Sequence, residues 1–261
     1  MLHFPAYPEA FWPAAAVAIL LMGISKAGFG AGIGVAATPI IALTISAADA
    51  AAVLLPLLIV ADILALRQHR WQFDKANYFQ LAGGALIGIV IGWFFFGFFS
   101  HNERILKLGI GILALAFVLF QLVRGTLLGA LSRRTPRPVE GIFWGTLAGF
   151  LSTLAHAGGP PILMHLMPQK LPKQIFVSTT VLFFFTVNVV KLIPYGQLGL
   201  LRVGNLTAIV LLSPLAYVGV RIGVALHRRF SDQWFTRIIY FGMALTAIQL
   251  IAGRSIVHAL F

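Results

Sequence analysis

The stretch at residues 23–39, "GISKAGFGAGIGVAATP", lies in the first apolar region of the chain and sets the reading of the fold. It holds five glycines in seventeen residues and one charged side chain, Lys26. Glycine is a poor helix former, because it loses more conformational freedom on folding than other residues. We therefore expect a helix break here, between helical segments near 11–27 and 31–45.

The composition around this stretch indicates a membrane protein. Of the 261 residues, 59% are hydrophobic and only 10% are charged, and the mean hydropathy is +0.94. The apolar runs at 79–99 and 105–123 are each about long enough to span a hydrocarbon core of about 30 Å. We therefore expect one all-α integral membrane domain over residues 1–261, with the lipid bilayer as its surroundings.

The basic residues bear on topology rather than on nucleic acid. The net charge is +12, but Lys and Arg lie mostly between apolar runs, so we expect no nucleic-acid partner. The chain has no Cys, which excludes disulfides and thiolate metal sites. We expect no metal site and no cofactor.

The chain divides into two similar halves, repeat 1 at 11–123 and repeat 2 at 139–254, joined by a basic linker at 124–138 that we expect in the cytoplasm. Matching residues are 126 apart in the first part of each half and 131 apart in the second part. Examples are Gly23 with Gly149, Asp62 with Asn188, Gly88 with Gly219, and Gly92 with Gly223. The expected helical segments are 11–27, 31–45, 49–67, 77–99 and 103–123, then 140–155, 159–168, 174–191, 203–227 and 232–252.

The charges between segments favour inverted halves. With the N-terminus outside, thirteen Lys and Arg residues fall inside. The residues counted outside are Arg104, Lys107, Lys191, Arg202 and Arg254. A parallel arrangement of four crossings in each half separates the charges less well. Because Lys and Arg accumulate on the cytoplasmic side, we predict two inverted-topology repeats of about five segments. An inverted repeat places a substrate site near the midplane.

Each half carries a broken or re-entrant Gly-rich helix pair. The second break, "AHAGGPP" at 155–161, matches the first and is followed by a short segment. Short, Gly/Pro-interrupted segments at matching places are the best sequence pointer to a transporter site. A helix that restarts there offers free N–H groups and a partial positive charge, which suit an anion. The glycines expected to contact substrate are Gly28, Gly30, Gly32, Gly158 and Gly159. The alternative is that glycines only allow close helix packing.

Several polar side chains near the breaks are candidates for the same site. Lys26 is either a counter-charge for the substrate or an interfacial lysine that snorkels. His156 is either a packing residue or a ligand or proton relay. Asp62 is a candidate coupling residue, because intramembrane Asp is costly and usually functional. The other candidates for substrate binding are Thr38, Ser152, Thr153 and Asn188, although Ser and Thr often bond to their own helix backbone.

The motifs "GISKAGFGAGIGVAATPII" at 23–41 and "GTLAGFLSTLAHAGGPPILMHLM" at 145–167 resemble the TauE/SafE family over nearly the whole chain. These are bacterial membrane proteins associated with export of sulfite, organosulfonates and related anions. The resemblance implies a multi-pass anion permease of the bacterial inner membrane and no enzyme activity. It does not fix the substrate, and the sequence leaves the oligomeric state open, with a homodimer as one alternative.

The residues leave two other functions open: a transporter for another small anion, a cation or a neutral solute, and an anion channel. An intramembrane enzyme is disfavoured, because the His and acidic residues are scattered along the sequence. The interior of a cell is negative, so an anion leaving it gains about 2.3 kcal/mol per charge across 100 mV. On the premise that Asp62 and His156 lack clear partners, the sequence favours electrogenic export without a coupled ion.

Overall fold

A computed structural model of the chain describes residues 7–26, 33–68, 72–99, 102–131, 137–201, 203–227 and 232–253. This part is helical, with no strand among the described residues. Short 3₁₀ turns at Ile33–Ala36 and Met167–Gln169 accompany the helices. The helices are α1 Phe11–Ile24, α2 Ala37–Ala42, α3 Ala47–Gln68, α4 Lys75–Phe99, α5 Glu103–Leu131, α6 Pro138–Ala155, α7 Gly159–Leu166, α8 Lys173–Gln197, α9 Val203–His227 and α10 Asp232–Ala252.

Most helices follow the expected segments, but three differ. The segment expected at 31–45 is described from residue 33 as a 3₁₀ turn and the short helix α2, which ends at Ala42. The segment expected to end at 123 continues as α5 to Leu131, and the segment expected to end at 191 continues as α8 to Gln197. Helix α8 therefore contains both Lys191 and Pro194. Proline is tolerated inside membrane helices, where neighbouring groups satisfy the freed backbone.

Five helices are long and apolar enough to cross a membrane. These spans are Ala47–Arg67, Lys75–Phe98, Glu103–Val123, Gln174–Gln197 and Leu206–Gly223. Large apolar side chains also cover the outside of the helix bundle: Phe79 is 67% exposed and Phe98 is 79% exposed. Extensive exposed apolar surface is typical of a region that faces lipid. The protein is therefore an all-helical, multi-pass membrane protein.

Two pairs of parallel helices pack at very close range. A Cβ added to Gly88 of α4 would lie 2.0 Å from the Thr146 carbonyl oxygen of α6. In the same way, a Cβ on Gly219 of α9 would lie 2.7 Å from the Leu20 carbonyl oxygen of α1. Small residues let membrane helices approach in this manner. The two close contacts hold α6 against α4 and α1 against α9.

Helices α3 and α8 cross the centre of the bundle in opposite directions. The Asn188 amide donates to the Asp62 carboxylate at 2.8 Å. Further along α3, Ala65 and Leu66 pack with Val181. Residue numbers thus rise along α3 as they fall along α8, so the two helices are antiparallel. The point where Asp62 meets Asn188 positions the candidate site.

Candidate functional site

A small cavity lies where the end of α1, the middle of α3, the α6–α7 junction and α8 meet. Its volume is about 50 Å³, which is room for a few water molecules or one small ion. The predicted site residues that line it are Lys26, Asp62, Ser152, His156, Gly159 and Asn188. The structure therefore brings together residues from both halves of the chain.

The first polar cluster is centred on Asp62, whose side chain is fully buried in α3. The Lys26 ammonium forms an ion pair with the Asp62 carboxylate and donates to the Leu58 carbonyl at 3.2 Å. Asn188 donates to the second carboxylate oxygen. An ammonium has three N–H groups, and these two acceptors use two of them. Among the described residues, the third N–H of Lys26 has no acceptor, and the Lys26 side chain lines the cavity.

The second feature is the sharp junction between α6 and α7. Helix α6 ends at Ala155, and His156 takes the left-handed conformation with φ 53°. The N–H groups of His156 and Ala157 cap the carbonyls of Ser152 and Leu151, a pattern common at helix C-termini. Helix α7 then begins at Gly159, which lines the cavity. The first N–H groups of a helix have no intrahelical partner and carry partial positive charge. In the first turn of α7 the donor is the Gly159 N–H, because Pro160 and Pro161 have no N–H.

The third feature is a buried lysine that the sequence analysis placed outside the membrane. Lys191 of α8 is fully buried and lies inside the apolar span Gln174–Gln197. Its Nζ lies 3.0 Å from both the carbonyl and the hydroxyl oxygen of Ser152, and 2.8 Å from Nδ1 of His156. The outside position predicted for Lys191 is therefore wrong. Lys26, which was counted inside, also lies in this site. Removing these two lysines takes one residue from each side of the charge count, so Lys and Arg are still in excess on the side counted as inside.

The premise that Asp62 and His156 lack partners is also wrong. Asp62 accepts from Lys26 and Asn188. His156 contacts Lys191 through Nδ1 and the Ala51 carbonyl oxygen through Nε2, at 3.0 Å. A carbonyl oxygen only accepts hydrogen bonds, so Nε2 carries a hydrogen and donates it to Ala51. In a neutral imidazole, Nδ1 is then the acceptor and faces Lys191.

Three predicted residues do not line the cavity. Thr38 is buried in α2, and its hydroxyl has no hydrogen-bond partner among the described residues. Thr153 donates back to the Gly149 carbonyl at 2.8 Å. Gly158 packs tightly, because an added Cβ would lie 2.7 Å from the Ala148 carbonyl oxygen. Gly28, Gly30 and Gly32 lie outside the described residues, so the first predicted break is not described.

Among the polar residues of the site, Lys191, Thr180 and Ser25 were not identified from the sequence. Lys191 lies in an apolar run, and an intramembrane charge of this kind is a signal of function. Thr180 lines the cavity, and its hydroxyl donates to the Phe176 carbonyl at 2.8 Å. Among the described residues, no group of three or more His, Asp or Glu could hold a metal ion.

Comparison with protein families gives one match. The family model described as "Sulfite exporter TauE/SafE" matches residues 15–250, which is nearly the whole chain. The matched region includes every described residue that lines the cavity. Comparison with curated proteins and comparison with solved structures give no match.

Proposed function

The chain belongs to the sulfite exporter TauE/SafE family, and from this premise we propose that it exports a small sulfur-containing anion, such as sulfite or an organosulfonate, across a bacterial inner membrane. The anion binds in the cavity beside Lys26, and the protein acts as a carrier rather than as an enzyme. The observation that carries the proposal is the position of Lys26, whose ammonium lines a small cavity and has one N–H group without an acceptor among the described residues.

The other groups around the cavity support an anion. The Ser152 hydroxyl and the N-terminus of α7 at Gly159 are hydrogen-bond donors at its wall. Asp62 is the acidic residue that lines the cavity among the described residues, and Lys26 is paired with it. A cation site would need carboxylate or carbonyl oxygens free to bind the ion. The described groups thus favour an anion over a cation.

The proposal includes two inverted halves, and matching helix contacts support it. Gly149 of α6 packs on the Ala85 carbonyl of α4, and Gly23 of α1 packs on the Ala216 carbonyl of α9. Gly23 and Gly149 are 126 apart, and Ala85 and Ala216 are 131 apart, which are the offsets of the sequence repeat. The same contact therefore occurs twice, with the two halves exchanged.

The direction of the helices supports inversion rather than a parallel repeat. Asp62 and Asn188 are repeat partners, 126 residues apart, and they touch. A two-fold axis that exchanges the halves therefore passes close to this contact. Because α3 and α8 are antiparallel there, the axis is perpendicular to both helices. Both helices are long enough to span the membrane, so the axis lies in the membrane plane and the cavity lies near the midplane, as in other inverted-repeat transporters.

A flux assay tests the proposed function. Purified protein in liposomes loaded with sulfite should release it at a rate that saturates with concentration and shows counterflow, whereas a channel would show neither. Lys26→Met should weaken the apparent affinity roughly ten- to hundred-fold, because a hydrogen bond to a charged group is worth roughly 1.5–3 kcal/mol. The matched control is Lys107→Met, since Lys107 pairs with Glu103 at the surface. Equal sulfite flux with and without protein would contradict the proposal.

A further inference from the structure

Lys191 is buried beside the proposed site without an acidic partner. Its side chain contacts Ser152 and His156, and no carboxylate forms an ion pair with it among the described residues. A buried ionised group without a counter-charge costs several kcal/mol. We propose, on the basis of the proposed function, that Lys191 binds a proton when an anion enters the cavity, so that one proton crosses the membrane with each monoanion and transport is electroneutral, in place of the electrogenic export expected from the sequence.

The hydrogen bonds around Lys191 fit both of its protonation states. Ser152 O and His156 Nδ1 are acceptors, so Lys191 donates one hydrogen to each. The third contact, to the Ser152 hydroxyl, can run in either direction, because a hydroxyl both donates and accepts. A neutral Lys191 amine accepts the hydroxyl hydrogen on its lone pair. A charged Lys191 ammonium donates its third hydrogen to the hydroxyl oxygen instead.

This reversible contact links the proton to the anion. Ser152 has one hydroxyl hydrogen and also lines the cavity. When an anion accepts a hydrogen bond from that hydroxyl, the hydroxyl oxygen can only accept a hydrogen bond from Lys191. A Lys191 ammonium has a third N–H to donate to it, whereas a neutral amine does not. The incoming proton comes from water and binds the Nζ lone pair, and it leaves when the anion leaves. Such coupling is reciprocal, so the proton also strengthens anion binding.

The charge of the site gives the number of protons. Lys26 and Asp62 form a pair with no net charge, and His156 is neutral when Nδ1 accepts from Lys191. The empty site is then neutral if Lys191 is an amine, and a monoanion adds one negative charge. One proton on Lys191 restores neutrality. Asp62 is a poorer acceptor for that proton, because Lys26 and Asn188 already donate to its carboxylate.

Calorimetry of anion binding tests the inference. Methanesulfonate is a suitable probe, because it stays a monoanion at neutral pH and its binding moves no proton of its own. Titrations in two buffers with different ionisation heats give the protons taken up per anion bound. We expect about one in the wild-type protein and in Lys107→Met. We expect close to none in Lys191→Arg, whose guanidinium is charged in both states, and in Lys191→Met.

The outcomes separate this inference from the proposed function. Absence of methanesulfonate binding in the wild-type protein would count against the anion site itself. Binding without proton uptake would overturn the role of Lys191 and leave the anion site in place. An infrared difference spectrum of the wild-type protein locates the proton without any variant. A new band of a protonated carboxyl on anion binding would assign the proton to Asp62 and overturn the inference.

Discussion

Asp62 is the residue at which elements of both halves meet. It is fully buried in α3, and it binds Lys26 from α1 and Asn188 from α8. Under the proposed function, this carboxylate competes with the anion for the Lys26 ammonium, so we expect Asp62 to lower the anion affinity of the site.

Asp62→Asn should raise the anion affinity and lower the stability. The substitution removes the negative charge that competes for Lys26, and we expect sulfite to bind at least about tenfold more tightly, equal to about 1.4 kcal/mol. The loss of one partner of a buried ion pair typically costs about 3–5 kcal/mol, so the melting temperature without ligand should fall. A thermal-shift titration with sulfite measures both effects. Weaker sulfite binding in Asp62→Asn would show that Asp62 helps to hold the anion.

The sequence could place some residues of the site and not others. The sequence identified Asp62 and Asn188 as matching residues of two similar halves. In the structure these two side chains are also in contact. Lys26 could be placed near Asp62 only after folding, because 36 residues separate them. Lys191 was misplaced, because the segment expected at 174–191 ends at this residue. Burial beside His156 is a tertiary property that no local pattern reports.

At the scale of elements, the close contact of α4 with α6 fixes the helix that leads into the α6–α7 junction. Gly84 and Gly88 of α4 face backbone atoms of α6, and an added Cβ would lie 2.1 Å and 2.0 Å from carbonyl oxygens there. Gly83, on another face of the same helix, has no atom within 4 Å of an added Cβ. These glycines look alike in the sequence, because they differ only in what packs against them.

Gly88→Ala should destabilise the protein, and Gly83→Ala should not. The new methyl group at position 88 cannot fit unless α4 and α6 move apart, and overpacking of this kind costs roughly 1–3 kcal/mol or more. At position 83 the helix gains up to about 1 kcal/mol, because alanine is the better helix former. Thermal unfolding of both variants in the same detergent makes the comparison. Equal melting temperatures would mean that the two helices are not in close contact.

The bounds of most helices were predictable from the sequence because apolar runs, glycines and prolines mark them locally. The start of α7 at Gly159 follows from the "GGPP" motif, since proline suits the first turn of a helix. The left-handed conformation of His156 that precedes it was not predicted, because glycine is the usual residue there. His156 is held by Ala51 and Lys191 from two other helices, and these contacts arise only in the folded protein.

For the whole molecule, we propose that one anion binds between two inverted halves. Exchange of the halves maps the α4–α6 contact onto the α1–α9 contact, and the cavity lies next to the point where α3 and α8 cross. A site on such an axis can open to one side of the membrane and then to the other through movement of one half against the other. The repeat offsets were readable in the sequence, whereas the antiparallel crossing needed the contacts between helices.

The location of the bound anion is the most direct test of the proposed anion site. Selenite replaces the sulfur of sulfite with selenium, whose anomalous scattering marks its position in crystals of the full-length protein. We predict an anomalous peak inside the cavity, within hydrogen-bond distance of the Lys26 ammonium. This peak should be lost in Lys26→Met and kept in Lys107→Met. A peak found only elsewhere, such as the surface pocket beside Arg104 and Lys107, would contradict it.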